Sequence, residues 1–263
     1  MSILRIATFN VNSLKSRLPV VERLLTADDS PDIICFQETK CQDREFPAAF
    51  FRERGYAVAF SGMKSYNGVA VASRRQADDV TFGFSDGEDL EQDRARLAIA
   101  RFGGLSIACS YVPQGKVMES PDFHYKLRFF ERLKMLFDRR FKATGRLLWT
   151  GDINVAPEDM DVTHPEKKRD HVCCCLEAKA ALQDVLSWGF VDVYRKHRPN
   201  PGEFSFWDYR VPGALERNIG WRIDHLFATE SLALCSRDAY AMLELRAMER
   251  PSDHTAVIGV FET

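Results

Sequence analysis

Five short segments of this 263-residue chain set carboxylates, carboxamides or an imidazole at or beside one end of an apolar run. They are Phe9-Asn10-Val11-Asn12, Gln37-Glu38-Thr39-Lys40, Gly151-Asp152-Ile153-Asn154, Arg222-Ile223-Asp224-His225 and Ser252-Asp253-His254. A polar side chain beside a hydrophobic strand is costly to bury unless it is paired or holds a metal. One such residue is ordinarily a turn or a helix cap. Five segments, three of them supplying two polar side chains each, ask for a shared purpose. If the strand ends lie on one edge, Asn10, Glu38, Asp152, Asn154, Asp224, Asp253 and His254 converge into an oxygen cluster with one imidazole. Such a cluster suits a hard cation: Mg²⁺ takes one or two carboxylates, keeps several waters and completes its shell with substrate phosphate. Zinc chemistry is not indicated, because Cys173-Cys174-Cys175 lacks the ligand spacing of tetrahedral sites and reads as structural thiols. His124 and His197 stand alone and read as surface or packing residues.

Several strands must end together to build this cluster, and the chain offers them. Ile3–Asn10 alternates and predicts a strand, after which Leu14, Leu18, Val21, Leu24 and Leu25 recur at helical spacing. Residues 32–38 (DIICFQE) suit a buried strand. Residues 68–73, 97–102 and 105–112 predict further strands, the last two joined by a Gly-Gly turn. Phe123, Leu127, Phe130, Leu133, Phe137 and Phe141 mark a long amphipathic helix. A strand through 147–151, a helix around 177–188, and strands near 222–228 and 255–261 follow. Strands far apart in sequence, alternating with helices, imply an α/β protein with mixed sheets. The acidic stretch 84–93 predicts a surface loop.

Composition sets the frame. Hydrophobic residues at 45% and charged residues at 28% exclude a disordered or fibrous chain. At this length a fold buries roughly three quarters of its unfolded surface without help from disulfides or a structural metal. No repeat, low-complexity stretch or long linker interrupts residues 1–263, which predicts a single domain. No apolar run reaches the roughly 18 residues of a membrane span, and residues 1–10 do not form a signal peptide, so a soluble protein is expected. Seven cysteines, an odd number without paired spacing, read as reduced thiols and a cytoplasmic location. Lys plus Arg (36) against Asp plus Glu (38) gives a net charge of −2, which lends no support to a nucleic-acid binder. A basic face segregated by the fold remains compatible with that balance. Nothing points to an obligate protein partner.

Six motifs now come together in order: Asn10 in FNVN, Glu38 in QETK, Tyr111 and Gln114 in YVPQG, Asp152 and Asn154 in GDIN, Trp221 to Asp224 in GWRID, and Asp253-His254 in SDH. Each is weak alone. In this order, across residues 3–261, they resemble exonuclease III, the class II AP endonuclease branch of the endonuclease/exonuclease/phosphatase superfamily. The resemblance implies a four-layered α/β sandwich, two packed mixed sheets flanked by helices, with the site at one edge. It implies cleavage of double-stranded DNA 5′ to an abasic site, dependent on Mg²⁺ with Mn²⁺ able to substitute. A 3′→5′ exonuclease and a 3′-phosphodiesterase activity on damaged ends accompany it.

Residue roles follow from the same reading. Glu38 and Asp253, with Asn10 nearby, are the metal ligands, and Asp152, Asn154 and His254 complete the candidate set. Asp152 is a general base or acid, its pKa raised by crowding with like charges. Asn154, two residues along an extended segment, faces the same side and orients water or phosphate. Asp224 holds the His254 imidazole; either His254 is the base or it binds phosphate, with Asp152 taking the other duty. Tyr111 donates its hydroxyl to phosphate, Lys126 adds positive charge near it, and Gln114 contacts a groove by resemblance alone. Phe206, Trp221 and Ile223, ordinarily core residues, match positions that line the pocket for an extruded base-free sugar. Trp207 and Arg210 join them in Phe206-Trp207-Asp208-Tyr209-Arg210. Its Phe-Trp order is opposite to the bacterial exonuclease III motif and closer to the other AP endonuclease branch, which leaves the balance of activities open. Lys167-Lys168-Arg169, Arg195-Lys196-His197-Arg198, Arg210, Arg217 and Arg222 are candidate phosphate contacts. Three alternatives compete: a predominantly 3′→5′ exodeoxyribonuclease, a phosphodiesterase acting on lipid, inositol phosphate or RNA, and a noncatalytic DNA-binding protein. The GWRID and FWDYR segments disfavour the second, and an acidic set without a loss disfavours the third.

Overall fold

The computed structural model describes residues 2–262 and resolves the apolar patterns into twelve strands among those residues. In chain order they are β1 (Ile3–Asn10), β2 (Ile33–Gln37), β3 (Ala57–Ser61), β4 (Val69–Ser73), β5 (Asp79–Phe82), β6 (Leu97–Phe102), β7 (Leu105–Tyr111), β8 (Arg146–Asp152), β9 (Phe190–Asp192), β10 (Asp224–Thr229), β11 (Ser236–Ala241) and β12 (Val257–Glu262). They form two six-stranded sheets, ordered β11-β12-β1-β2-β4-β3 and β5-β6-β7-β8-β10-β9. Each sheet has one parallel pair at its centre, β1 with β2 and β7 with β8, among antiparallel neighbours. Parallel neighbours cannot be joined by a hairpin and need a crossover. The helix Leu18–Thr26 makes the first crossover and the helix Pro121–Arg140 the second. After each parallel pair a helix, Ala48–Glu53 or Leu176–Leu186, leads to an edge strand that turns back into its sheet. The architecture therefore repeats, although the sequence carries no repeat.

Packing explains why the central strands read as unbroken apolar runs. Between the sheets, Ile6, Cys35 and Val71 meet Ile107, Leu148 and Leu226. Outside the first sheet Val21 and Leu24 cover Ile34 and Phe36. Outside the second, Phe130, Leu133 and Phe137 cover Trp149 and Phe227. With both faces covered, every residue of β2 is buried, as expected of central strands in an α/β sheet. Each fully buried Leu or Phe contributes on the order of 1.5–3 kcal/mol. The long helix begins on Pro121, and Ser120 Oγ caps it by accepting from Phe123 N at 3.2 Å.

The result is the expected four-layered sandwich, with two differences from the sequence reading. The strands β3, β5, β9 and β11 are not among those expected from the sequence, and all four are sheet edges. The acidic stretch 84–93 is more than a surface loop: Asp86, Asp89 and Asp93 gather around Arg132 at 2.8, 3.1 and 2.9 Å, and residues Glu91–Arg94 are helical. Among the described residues no helix is long and apolar enough to cross a membrane.

Candidate active site

Strand direction gathers the polar residues. β1 ends in Asn10, β2 stops one residue before Glu38, β7 ends in Tyr111 and β8 in Asp152. β10 runs antiparallel to β8, so its first residue, Asp224, lies opposite Asp152, which in turn lies opposite Tyr111. Gly151 permits this. At φ 143° its position allows β8 to approach β7 so closely that a Cβ would lie 1.8 Å from the Ser110 carbonyl oxygen. The two sheets are then stitched by one fully buried amide. Asn10 Nδ2 donates to Glu38 Oε1 and to Asp152 Oδ2, each at 2.8 Å, holding together two carboxylates that would otherwise repel.

Charge is distributed unevenly in this cluster. Lys40 Nζ lies 2.7 Å from Glu38 Oε2 and donates to Asn12 Oδ1 at 2.6 Å, and Asn12 Nδ2 donates to Asp253 Oδ1 at 2.9 Å. Burial disfavours the Glu38 carboxylate, but Lys40 and Asn10 outweigh it and hold its pKa below the ordinary value. The oxygen set around Glu38 thus already accepts a positive charge, as a hard-cation site must. His254 Nδ1 lies 2.8 Å from Asp224 Oδ2, and its Nε2 lies 3.8 Å from Asp152 Oδ2. Burial opposes the imidazolium, yet Asp224 and Asp152 together raise the His254 pKa well above its ordinary value. Asp152 is itself pushed upward, by burial first and then by Asp224 and Glu38. Desolvation, not the like-charge crowding expected from sequence, is the leading cause. Asp224 Oδ1 is buried without a hydrogen-bond partner. Asp152, Asp224 and His254 each bring a donor atom within 4.8 Å of the others. His254 Nδ1 is held by Asp224, whereas Glu38 and Asp253 lie outside that trio and also line the cleft.

Asn154 is close to Asp152 for a different reason from the one expected. It is not extended but left-handed, with φ 53°. Its backbone N donates to Asp152 Oδ1 at 3.0 Å and its Nδ2 to the Val112 carbonyl at 3.0 Å.

Beside the cluster lies a cleft of about 260 Å³ lined by Glu38, Tyr111, Asp152, Asp253 and His254 and by the apolar Phe206, Trp221 and Ile223. Isolated bridges pair Phe206 with Trp221 and with His254, and the Phe206 ring sits 4.8 Å from the His254 ring. Gln114 and Arg210 reach the rim, although Asp208 binds Arg210 through both carboxylate oxygens. His171 and Cys173 also line the cleft, and no sequence motif marks them. The His171 ring packs 4.7 Å from the Trp221 ring, and Lys168 Nζ lies 4.0 Å from the same ring, which brings one residue of the first basic run beside a cleft-lining side chain. A larger cavity, about 570 Å³, opens at the opposite ends of the strands among Ile3, Leu105 and Arg146, but Asp32 is its one carboxylate.

Lys126, Trp207 and Arg222 are among the candidate residues that do not line the cleft. Lys126 is fully buried and donates to the backbone carbonyls of Gln114, Asn154 and Val172, so it does not offer its charge to a phosphate. Trp207 is buried against Phe204 and Ala214, with its Nε1 directed to Asn218 Oδ1 at 3.3 Å. Arg222 is buried, paired with Asp161 at 2.7 Å and with Asp192 at 2.8 Å. The second basic run is consumed internally too. Arg195 pairs with Asp161, Lys196 and His197 with Ser236, and Arg198 with Asp238. Arg217 is exposed and donates to the Pro212 carbonyl. Cys173, Cys174 and Cys175 are buried thiols, and burial raises the pKa of each.

Comparison with known proteins agrees with this geometry. Residues 7–254 match the model of the Endonuclease/Exonuclease/phosphatase family. Exodeoxyribonuclease III of Haemophilus influenzae is 31% identical over 272 aligned residues, covering 98% of this chain and 100% of that protein. The structure of an AP endonuclease from Archaeoglobus fulgidus superposes with a TM-score of 0.94 at 45% identity, covering 99% of this chain and 100% of the other. A 3′ phosphatase from Neisseria, bound to a product DNA hairpin, superposes with a TM-score of 0.93 at 36% identity and the same coverage. Sequence, fold and the strand-end cluster therefore agree that this chain belongs to the endonuclease/exonuclease/phosphatase family, in its exodeoxyribonuclease III and AP endonuclease branch.

Proposed function

We propose that this DNA-repair nuclease hydrolyses the phosphodiester 5′ to abasic sites in double-stranded DNA, using Mg²⁺ or Mn²⁺, and also clears damaged 3′ ends. One observation carries the reading: an oxygen-and-imidazole cluster built across two sheets faces a small cleft with an apolar wall. A base-free sugar fits beside Phe206, Trp221 and Ile223, while a nucleotide that keeps its base meets their bulk. Glu38 and Asp253, with Asn10 and Asp152 adjoining, would hold the cation, which when bound neutralises phosphate charge and eases departure of the 3′ oxygen.

The remaining steps belong to the chain's own groups. Asp224 keeps His254 charged, so His254 serves as a hydrogen-bond donor to a phosphate oxygen and not as a base. Asp152, raised in pKa by burial, then takes the proton of the attacking water. The Asn154 backbone N–H and the Asn10 amide each occupy one Asp152 oxygen and fix its orientation. Tyr111 stays a phenol, because burial and the nearby Glu38 raise its pKa, and so donates to the phosphate.

A second reading, 3′-end processing above internal incision, is favoured by His171, which packs on Trp221 and narrows the sugar wall. One experiment addresses both. Duplexes carrying an internal abasic analogue, a 3′ phosphate or an undamaged 3′ end are incubated with Mg²⁺ and then with EDTA. Internal incision that disappears in EDTA is expected. Incision surviving EDTA removes the cation from the reaction, and 3′ clearance without internal incision selects the second reading.

A further inference from the structure

Lys126 presents an unusual buried charge. It sits in the first half of the helix Pro121–Arg140 with no exposed surface, and its ammonium hydrogen bonds all go to main-chain carbonyls: Gln114 O at 3.2 Å, Asn154 O at 2.8 Å and Val172 O at 2.6 Å. An ammonium has three donors, and each serves a different chain segment. The first follows β7 and bears Gln114. The second follows β8 and bears Asn154. The third, at the far end of the same connection from β8 to the helix Leu176–Leu186, carries His171 and Cys173 into the cleft wall. An apolar side chain would fill this place at less desolvation cost, so a cation retained here needs a purpose beyond packing.

We propose that Lys126 is a positioning residue, a single ammonium that clamps three cleft segments and thereby fixes the Asp152 carboxylate and the width of the sugar pocket. The connection is short. Lys126 holds the Asn154 carbonyl, and the same residue's backbone N–H holds Asp152 Oδ1 at 3.0 Å. Asn154 is left-handed, at φ 53°, a conformation that persists where its surroundings over-determine it. The Gly115 backbone packs on the lysine stem, where an added Cβ would lie 3.3 Å from Lys126 Cδ. Ser120 Oγ binds the Gly115 carbonyl at 3.1 Å, so the helix start holds the same loop a second time. The catalytic consequence rests on the nuclease reading above, whereas the clamp does not, and the experiment separates them.

The folded full-length chain is trace-labelled with acetic anhydride, with and without an abasic duplex, and read by peptide mass spectrometry. Lys126 is expected to label at least about tenfold more slowly than the exposed Lys116 in both conditions. Surface-like labelling that DNA suppresses makes Lys126 a phosphate contact and overturns the proposal, even if no variant folds. Lys126→Met and Lys126→Gln are then compared by amide hydrogen exchange. Residues 112–116, 153–156 and 171–175 should lose protection together, and loss in only one segment refutes the clamp. On the abasic duplex we expect Lys126→Met to lower kcat by about a hundredfold, with Kd in EDTA changed by less than about threefold and the salt slope of binding unchanged. Lys126→Gln, which keeps amide donors, should recover part of kcat. Loosened loops with unchanged kcat would leave a clamp without catalytic effect, and weakened binding with intact kcat would reverse the assignment. If the wild type cleaves none of the duplexes, labelling and exchange still decide the clamp while the nuclease reading fails by itself.

Discussion

Behind the cleft wall lies an ion network whose value can be worked from the structure and tested without reference to activity. Asp161 is fully buried. It accepts from Arg222 Nε at 2.7 Å and Nη2 at 3.1 Å, from the Glu158 backbone N at 3.0 Å, and from Arg195. Arg222 in turn reaches Asp192 at 2.8 Å and His225 Nδ1 at 3.0 Å. Asp161→Asn keeps the shape but leaves two guanidinium groups facing one remaining carboxylate. Removing one partner of a buried pair costs about 3–5 kcal/mol, and the acceptor that Asn retains puts this case near 3 kcal/mol. The depressed pKa gives a second figure for the same contacts. Burial opposes the Asp161 carboxylate, but Arg222 and Arg195 overcome it and hold the pKa at about 2. A carboxyl held there is worth about 2.5 kcal/mol at neutral pH. The depressed pKa fixes the sign: the contribution is complete above the unfolded value near 4 and is lost as pH falls toward 2. Urea unfolding at pH 7 should therefore show a wild-type advantage of about 3 kcal/mol, or roughly 6–12 °C in Tm, falling by about half at pH 3. His225, whose pKa burial lowers to about 4, adds its own acid sensitivity, but to both proteins. An advantage below about 1 kcal/mol, or one independent of pH, would refute the network argument.

The other expectations concern the cleft and the thiols. Asp152→Asn and His254→Ala should each slow single-turnover incision of the abasic duplex by at least about a hundredfold, and a loss under about tenfold would remove that residue from the chemical step. Trp221→Ala should slow abasic incision yet raise cleavage next to an intact base, because the wall that excludes a base is gone. An unchanged ratio of the two rates in a folded variant would make Trp221 a core residue only. Burial raises Cys173 to about 11 and Cys174 to about 12, so iodoacetamide at pH 8 should modify the partly exposed Cys235 well before either. Early labelling of Cys173 would show that the cleft floor opens in solution.

Most of the fold was legible because its central strands are covered on both faces. Residues 32–38 and 68–73 could read as strands from apolar content alone, since the inter-sheet core and the outer helices bury both sides. The strands without a sequence expectation, β3, β5, β9 and β11, are all edges. An edge strand has one neighbour and is often kept short against aggregation, and runs as short as Asp79–Phe82 and Phe190–Asp192 carry too few residues for a periodic signal. The repeat of crossover and return strand was invisible for a related reason. Two layers can share connectivity while filling different volumes, as Val21 and Leu24 do on one sheet and Phe130 and Phe137 on the other.

In the site, residue type announced chemistry but not depth. Lys126, Lys168 and Arg222 look alike in sequence as cations near motif residues. The structure buries the first under three carbonyls, lays the second on the Trp221 face and encloses the third between Asp161 and Asp192. Of the three only Lys168 keeps partial exposure, and nothing local in KKRD or GWRID distinguishes the cases. Trp207 failed the same test, its indole directed to Asn218 one residue from Phe206 at the cleft.

Depth matters here because the cluster belongs to neither sheet. β1 and β2, with the segment before β12, bring Asn10, Glu38, Asp253 and His254; β7, β8 and β10 bring Tyr111, Asp152 and Asp224. Within the first sheet Glu38 already has the Asn10 amide, but within the second Asp152 and Asp224 face each other without a partner from outside. Packing the sheets brings the His254 imidazolium to Asp224 and the Asn10 amide to Asp152, both at 2.8 Å. The inter-sheet core of Ile6, Ile107, Leu148 and Leu226 thus sets the spacing of the reacting groups as well as stability. A misplacement of about 1 Å can cost a hundredfold in rate. The site therefore depends on the sandwich as a whole, and family resemblance had to run the length of the chain to reveal it.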